Sequence, residues 1–192
     1  MEANLTRLKM DKEFLENLEK DKNEAIKNED IVKLYDVLDT YLALDKEDKD
    51  IDILYQKIVD IAFDTLAQML SKGEIFDLSK DKDLYTARAI FEHAIERWDR
   101  KDFIGSKELF LLLSYLIQDE DIQKGMFLAL GATAKKISLD EFIDRFIDKA
   151  KLDESSFFFN KLTNEGERFL KEESSLINKE LKKIEKLSQG GK

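Results

Sequence analysis

The chain has no cysteine, no proline, one histidine and seven glycines in 192 residues. Without cysteine there is no disulfide, no thiol nucleophile and no cysteine-ligated metal. Without proline, no residue interrupts a helix by lacking the backbone N–H that helical hydrogen bonding needs. The single histidine, His93, cannot build the usual metal site or nucleophile–base pair without help from carboxylates, so we interpret it as a structural residue.

Catalytic and ligand-binding motifs are also missing. The sequence contains no glycine-rich phosphate loop, no H-E-x-x-H and no G-x-S-x-G. The acidic loop at residues 45–50, DKEDKD, superficially resembles a calcium loop, in which acidic residues recur at alternate positions. However, Asp50 stands where such a loop needs glycine, and Gln56 stands where it needs a bidentate glutamate. We therefore expect no enzymatic activity, no metal and no cofactor.

The charge pattern restricts the classes of partner. A formal net charge of −10 opposes a phosphate backbone, so we expect no nucleic-acid binding. The first residues, MEANLTRLKMDKEF, lack the apolar core of a signal peptide, and no uncharged apolar run reaches membrane-spanning length. We expect a cytoplasmic chain that binds a protein or peptide and does not insert into a membrane.

Apolar residues recur at helical spacing along nearly the whole chain. Hydrophobic residues make up 43% and charged residues 39%, which is enough for a packed core under a charged surface. We predict an all-α fold of stacked antiparallel helical hairpins with a long C-terminal helix. It forms a single domain over residues 1–188, with a soft internal boundary near 73–83, a repeat-like core at 85–165 and a disordered tail at 189–192.

Several local features are predicted within this fold. A first helix is expected over residues 3–27, and Gly73 is expected to cap the helix that ends at Lys72. Trp98 is expected to pack at a helix end. Ser155 or Ser156 is expected to cap a helix carrying the phenylalanines at 157–159, and Gly166 is expected to break it. Near-heptad apolar spacing then predicts a terminal helix, through Leu170, Ile177, Leu181 and Ile184.

A weak internal repeat relates the two halves of the chain. The dipeptide Asp30-Ile31 matches Asp102-Phe103, and Leu38 matches Phe110. Both segments end in a leucine-rich stretch followed by acidic residues. Either hairpins repeat along the whole chain, or amphipathic helices with acidic joints are alike by pattern alone.

The central stretch resembles the tetratricopeptide repeat. Phe127-x2-Leu130-Gly131-x2-Ala134 is similar to the first-helix motif, in which a small residue lets two helices approach closely. Ser106-x3-Phe110 is similar to the second-helix motif. The pieces ARAIFEHA and GMFLALGATAKK, at residues 87–94 and 125–136, further resemble class II chaperones of bacterial type III secretion translocators.

The resemblance implies a non-enzymatic, cytoplasmic chaperone that keeps a hydrophobic secreted partner in solution. Its groove would draw on first-helix positions: Phe91, Phe127, Leu130 and Ala134. Self-association through the N-terminal helix is also implied. One alternative is a structural or regulatory protein whose C-terminal region, including Phe157 and Phe158, contacts a folded partner. Another is a helical domain with a small-molecule pocket.

Overall fold

A computed structural model describes residues 9–152 and 156–189, with side chains described as far as residue 184. These residues contain nine helices and no strand, which confirms the prediction of an all-α fold. The helices are α1 (Lys12–Asn28), α2 (Ile31–Ala43), α3 (Asp48–Lys72), α4 (Asp81–Asp99), α5 (Phe103–Leu116), α6 (Glu120–Ala134), α7 (Leu139–Phe146), α8 (Asn164–Glu172) and α9 (Ser174–Gln189).

Two local predictions about the helices before residue 80 have different outcomes. Gly73 adopts a left-handed conformation with φ +68° directly after α3, which confirms it as the residue that ends this helix. A single first helix over 3–27 is wrong within the described residues. Asp11 interrupts it with extended backbone angles and accepts a hydrogen bond from the Phe14 N–H as the N-cap of α1.

The region around the three phenylalanines differs from the prediction. No helix includes residues 156–162, so the predicted cap at Ser156 is wrong, while Ser155 lies outside the described residues. The next helix begins at Asn164 with Thr163 as its N-cap. Gly166 lies inside α8 and does not break it. The predicted tail at 189–192 stays a prediction, because α9 includes Gln189 and the other three residues lie outside the described residues.

Short polar joints end and restart the helices in the same way at two places. Glu29 and Lys101 follow helices and have φ angles of 52° and 64°. Each donates its backbone N–H to a carbonyl in the last turn of the helix before it. The next residue, Asp30 or Asp102, donates its backbone N–H to a carbonyl of the preceding helix. Its side-chain carboxylate accepts a hydrogen bond from a backbone N–H in the first turn of the following helix. These are the two joints that the weak sequence repeat aligned, so the matched dipeptides share one turn geometry.

Contacts divide the chain into two compact units, Met1–Lys72 with Ser79–Ala89 and Gly73–Leu78 with Ile90–Lys192. In the first unit α2 packs against both α1 and α3, and its apolar stripe is buried. Arg88 stacks on the Tyr35 ring at 4.0 Å and pairs with Asp39 at 3.5 Å. The prediction of one domain over 1–188 stays a prediction.

The second unit is built on the contact between α5 and α6, against which α9 packs. Its core is a continuous series of aromatic rings. Trp98 lies 5.6 Å from Phe110 and 4.7 Å from Phe142, and Phe142 lies 5.9 Å from Phe146. Edge-on and tilted pairs of this kind contribute beyond their buried area, so α4, α5 and α7 are held in register by their rings.

The C-terminal helix α9 is anchored by a buried carboxylate. Ile177 and Ile184 are buried, and between them Glu180 is only 6% exposed. Glu180 accepts from Lys107 on α5 at 3.0 Å and from Lys183 at 2.6 Å. Burial opposes ionisation, but the hydrogen bonds and charges of Lys183 and Lys107 outweigh it, so the pKa of Glu180 is lowered.

We expect Glu180→Gln to lower the free energy of unfolding by about 1–3 kcal/mol at pH 7, because two lysines lose their shared buried partner. A lowered folded-state pKa stabilises the fold above the unfolded value of about 4.3, and this contribution disappears as the pH falls through the folded value. The difference between variant and wild type should therefore shrink below about pH 4 in urea titrations.

Glu172→Gln provides the matched control, since Glu172 is exposed and lies 4.0 Å from Arg168. It should change stability by less than about 0.5 kcal/mol. An effect of Glu180→Gln as small as this control would show that the carboxylate does not anchor α9.

Candidate peptide-binding surface

In the second unit a non-helical segment crosses the helices, and we call residues 156–162 the aromatic strap. Its end is tied to the chain after α7, where Asp148 donates its N–H to the Lys161 carbonyl at 2.9 Å. Ile147 and Leu162 form an isolated antiparallel bridge there. Aromatic residues favour extended backbone over helix, which agrees with the three consecutive phenylalanines lying outside any helix.

The strap is held mainly by aromatic rings. Phe91 on α4 meets Phe158 and Phe159 with ring centroids 5.3 Å and 5.1 Å apart, both nearly edge-on. Phe159 also lies 5.3 Å from Phe142 on α7. Phe91 and Phe158 are each 4% exposed, so these contacts are shielded from water. Each such pair contributes about 0.5–1.5 kcal/mol beyond burial, which makes the rings the main attachment.

Gly125 provides the place where the strap backbone touches α6. A β-carbon built on Gly125 would lie 1.6 Å from the carbonyl oxygen of Phe159, which is far too close for two atoms that are not bonded to each other. The strap backbone therefore passes directly over the α6 backbone, and any larger residue at 125 would push it away. Gly131, the small residue expected at a helix crossing, instead faces the side chains of Phe169 and Ile177.

Polar attachment of the strap is sparse. Lys161 reaches Asp121 on α6 at 3.3 Å, but both side chains are 40% or more exposed, so this ion pair contributes about 0–1 kcal/mol. Among the described residues, the N–H groups of Phe158, Phe159 and Asn160 donate to no backbone carbonyl. The Asn160 Oδ1 is buried and accepts no hydrogen bond there. Apart from the backbone hydrogen bond to the Lys161 carbonyl, the strap therefore has few polar contacts with the rest of the unit among the described residues.

The residues predicted to bind a partner fall into two groups. Phe91 and Phe158 lie in contact, and Phe157 belongs to the same strap and is half-buried. The other three are all on α6, where Phe127 and Ala134 are half-buried and Leu130 is fully buried. At about 100° per residue, Phe127 and Ala134 lie about 200° and 180° around α6 from Gly125. They therefore do not share the face that carries the strap.

Gly125 was not predicted as part of this surface, and Phe159 was predicted only as a member of the 157–159 cluster. A glycine within a helical pattern was the available signal for Gly125, since such a residue commonly marks a close approach. Nothing in the sequence indicated which segment would approach it, because the strap follows α6 by more than 20 residues.

Trp98 and His93 are the two residues on α4 that were considered for chemistry. Trp98 is 1% exposed and donates its indole N–H to the Ile137 carbonyl at 2.8 Å, which confirms packing at a helix end. The Nδ1 of His93 lies 3.1 Å from the Glu96 carboxylate in a half-buried position. Within residues 9–152 and 156–189, no three histidine, aspartate or glutamate side chains converge as metal ligands.

A separate groove lies in the first unit between α1 and α2. It encloses about 460 Å³, with Phe14, Leu18 and Val37 among its lining residues. Exposed acidic side chains, including Asp21 and Glu24, form its rim. Its floor is already buried, since Leu18 is 8% and Val37 3% exposed, and it therefore offers little unburied apolar surface.

Comparisons with known proteins find no match to any family model, to any curated protein or to any solved structure. Within the described part of the chain, no helix combines the length and apolar character needed to cross a membrane.

Proposed function

We propose that this chain is a non-enzymatic protein-binding module whose binding surface is the face of α4 and α6 beneath the aromatic strap. The observation that carries the proposal is the strap itself. A non-helical, phenylalanine-rich segment lies across that face, with its rings against Phe91 and Phe142 and its backbone on Gly125. A surface that accommodates such a segment from its own chain has the shape and chemistry to hold one from a partner.

The resemblance to tetratricopeptide proteins supports the same function. In this proposal α4 and α6 are first helices of successive hairpins, and the peptide lies on the face of α6 that carries Gly125 rather than on the one that carries Phe127 and Ala134. The identical turns before α2 and α5 favour a repeated hairpin. The further likeness to translocator chaperones suggests a cytoplasmic chaperone that shields a hydrophobic segment of a secreted protein.

The test uses a strapless variant, in which Phe157→Gly, Phe158→Ser, Phe159→Gly and Asn160→Ser remove the rings and keep the chain length. The probe is a fluorescein-labelled peptide, SFFFNKLT, with the sequence of residues 156–163. We expect saturable binding by fluorescence anisotropy with a Kd on the order of 10 μM, about −7 kcal/mol.

Two alanine substitutions in the strapless background locate the binding site. Gly125→Ala places a methyl where the peptide carbonyl must lie and should weaken binding at least about ten-fold. Gly105→Ala is the matched control, because its new methyl meets only the flexible Arg97 guanidinium and should leave the Kd unchanged. A folded strapless variant that binds no peptide contradicts the proposal. If the strapless variant does not fold, the single change Phe159→Ser replaces it, since Phe159 is only half-buried.

A further inference from the structure

We infer that the partner of this surface presents a non-helical segment with adjacent phenylalanines, and that it binds by replacing the chain's own aromatic strap. This inference rests on the proposed function and names both the partner chemistry and the exchange that binding requires.

The strap defines what the partner must carry. One ring has to fill the position of Phe158, which is shielded from water beside Phe91. A second ring has to take the position of Phe159, between Phe91 and Phe142. At the second ring the backbone carbonyl must pass directly over Gly125, so closely that a helix with side chains on that face has no room. An amphipathic helix therefore does not fit, whereas an irregular segment with two consecutive phenylalanines does.

Exchange is feasible because the strap is attached through groups that a partner can reproduce. Its rings pack against Phe91 and Phe142, and three consecutive backbone N–H groups donate to no backbone carbonyl within the described residues. A partner with the same rings regains the same contacts with Phe91. Its disadvantage is that it competes with a tethered segment, whose effective concentration is about 1 mM.

The strap has one unfavourable residue, Asn160, that a partner segment need not carry. Its buried Oδ1 accepts no hydrogen bond among the described residues, and such a group carries a desolvation penalty. A partner with an apolar residue at this position avoids that penalty. The peptide SFFFLKLT should therefore bind the strapless variant about ten-fold or more tightly than SFFFNKLT.

The exchange is tested on the full chain with the strap either free or tethered. Asp121→Cys and Lys161→Cys place thiols at two neighbouring positions, whose wild-type side chains meet with Lys161 Nζ 3.3 Å from Asp121 Oδ2. They are the only cysteines present, so a short bis-maleimide joins the strap to α6 and nothing else. The same double variant capped with N-ethylmaleimide provides the matched control with a free strap.

We expect SFFFLKLT to bind the capped variant and the wild type about a hundred-fold more weakly than the strapless variant, as competition with a tethered segment requires. The cross-linked variant should bind at least ten-fold more weakly again. Equal binding by cross-linked and capped variants overturns the exchange but leaves the proposed function standing, provided that the strapless variant binds. No binding by the wild type at millimolar peptide also overturns it, because the strap is then a permanent part of the core.

Failure of the proposed function gives a different result, namely a folded strapless variant that binds neither peptide. The partner chemistry is tested separately with SLLLLKLT, which keeps apolar character but removes the rings. This peptide should bind the strapless variant at least ten-fold more weakly than SFFFLKLT. Equal affinities would contradict a partner defined by adjacent phenylalanines.

Discussion

Gly125→Ala is expected to lower the free energy of unfolding of the second unit by about 2–4 kcal/mol, although alanine is the better helix former. The gain in helix propensity is about 1 kcal/mol. Against it, the new methyl would lie 1.6 Å from the Phe159 carbonyl oxygen, so the strap has to move off α6. The Phe158 ring then loses its burial beside Phe91, at about 1.5–3 kcal/mol, and the half-buried Phe159 ring loses a smaller amount.

This expectation is measured by urea titration with Trp98 fluorescence as the signal. Trp98 is the only tryptophan and lies in the second unit, so its emission follows that unit. Gly105→Ala is again the control. Its methyl displaces the Arg97 guanidinium from Asp102, but these side chains are 40% and 42% exposed, so with the gain in helix propensity the variant should change stability by less than about 1 kcal/mol. A stabilised Gly125→Ala variant would mean that the strap does not lie on α6.

Trp98→Ala is expected to cost about 3–5 kcal/mol, the largest effect of any single substitution considered for the second unit. The indole is 1% exposed and packs between the rings of Phe110 and Phe142, so its removal leaves a cavity that the rigid core cannot close. It also leaves the Ile137 carbonyl without the N–H that it accepts at 2.8 Å.

Trp98→Phe separates these two contributions. It retains an aromatic ring but loses the N–H, so it should cost less than the alanine variant by about 1–3 kcal/mol. Circular dichroism at 222 nm during urea unfolding measures both variants, since neither contains tryptophan. Equal losses for the two substitutions would contradict a contribution from ring packing and assign the whole effect to the hydrogen bond.

The helices and many of their starts could be predicted from the sequence because the signals are local. Apolar spacing marks the helical faces, and Asp30, Asp102, Asp119 and Ser138 each follow a joint and accept an N–H from the first turn. Gly73 is predictable for the same reason, since a left-handed helix end favours glycine.

The strap could not be predicted because its conformation is decided by distant contacts. Locally, Ser155 and Ser156 before three phenylalanines resemble a capped helix start, and the sequence prediction followed that signal. In the structure Phe158 and Phe159 are bound by Phe91, which precedes them by more than 60 residues, and these contacts outweigh the helix-start signal of the two serines. Phe127 and Leu130 were predicted to line a groove by resemblance alone. Apolar periodicity identifies the faces of α6 but does not indicate which segment of the chain packs on each face.

The most direct test of a peptide-binding surface on α4 and α6 follows the backbone amide of Gly125. The measurement is a ¹H–¹⁵N correlation spectrum of the strapless variant titrated with SFFFNKLT. If the peptide binds on α4 and α6, we expect the Gly125 signal to shift in a saturable manner with the Kd found by anisotropy, while the Gly105 signal stays in place. Saturable binding that leaves the Gly125 signal unshifted would place the peptide elsewhere and contradict a binding surface on α4 and α6.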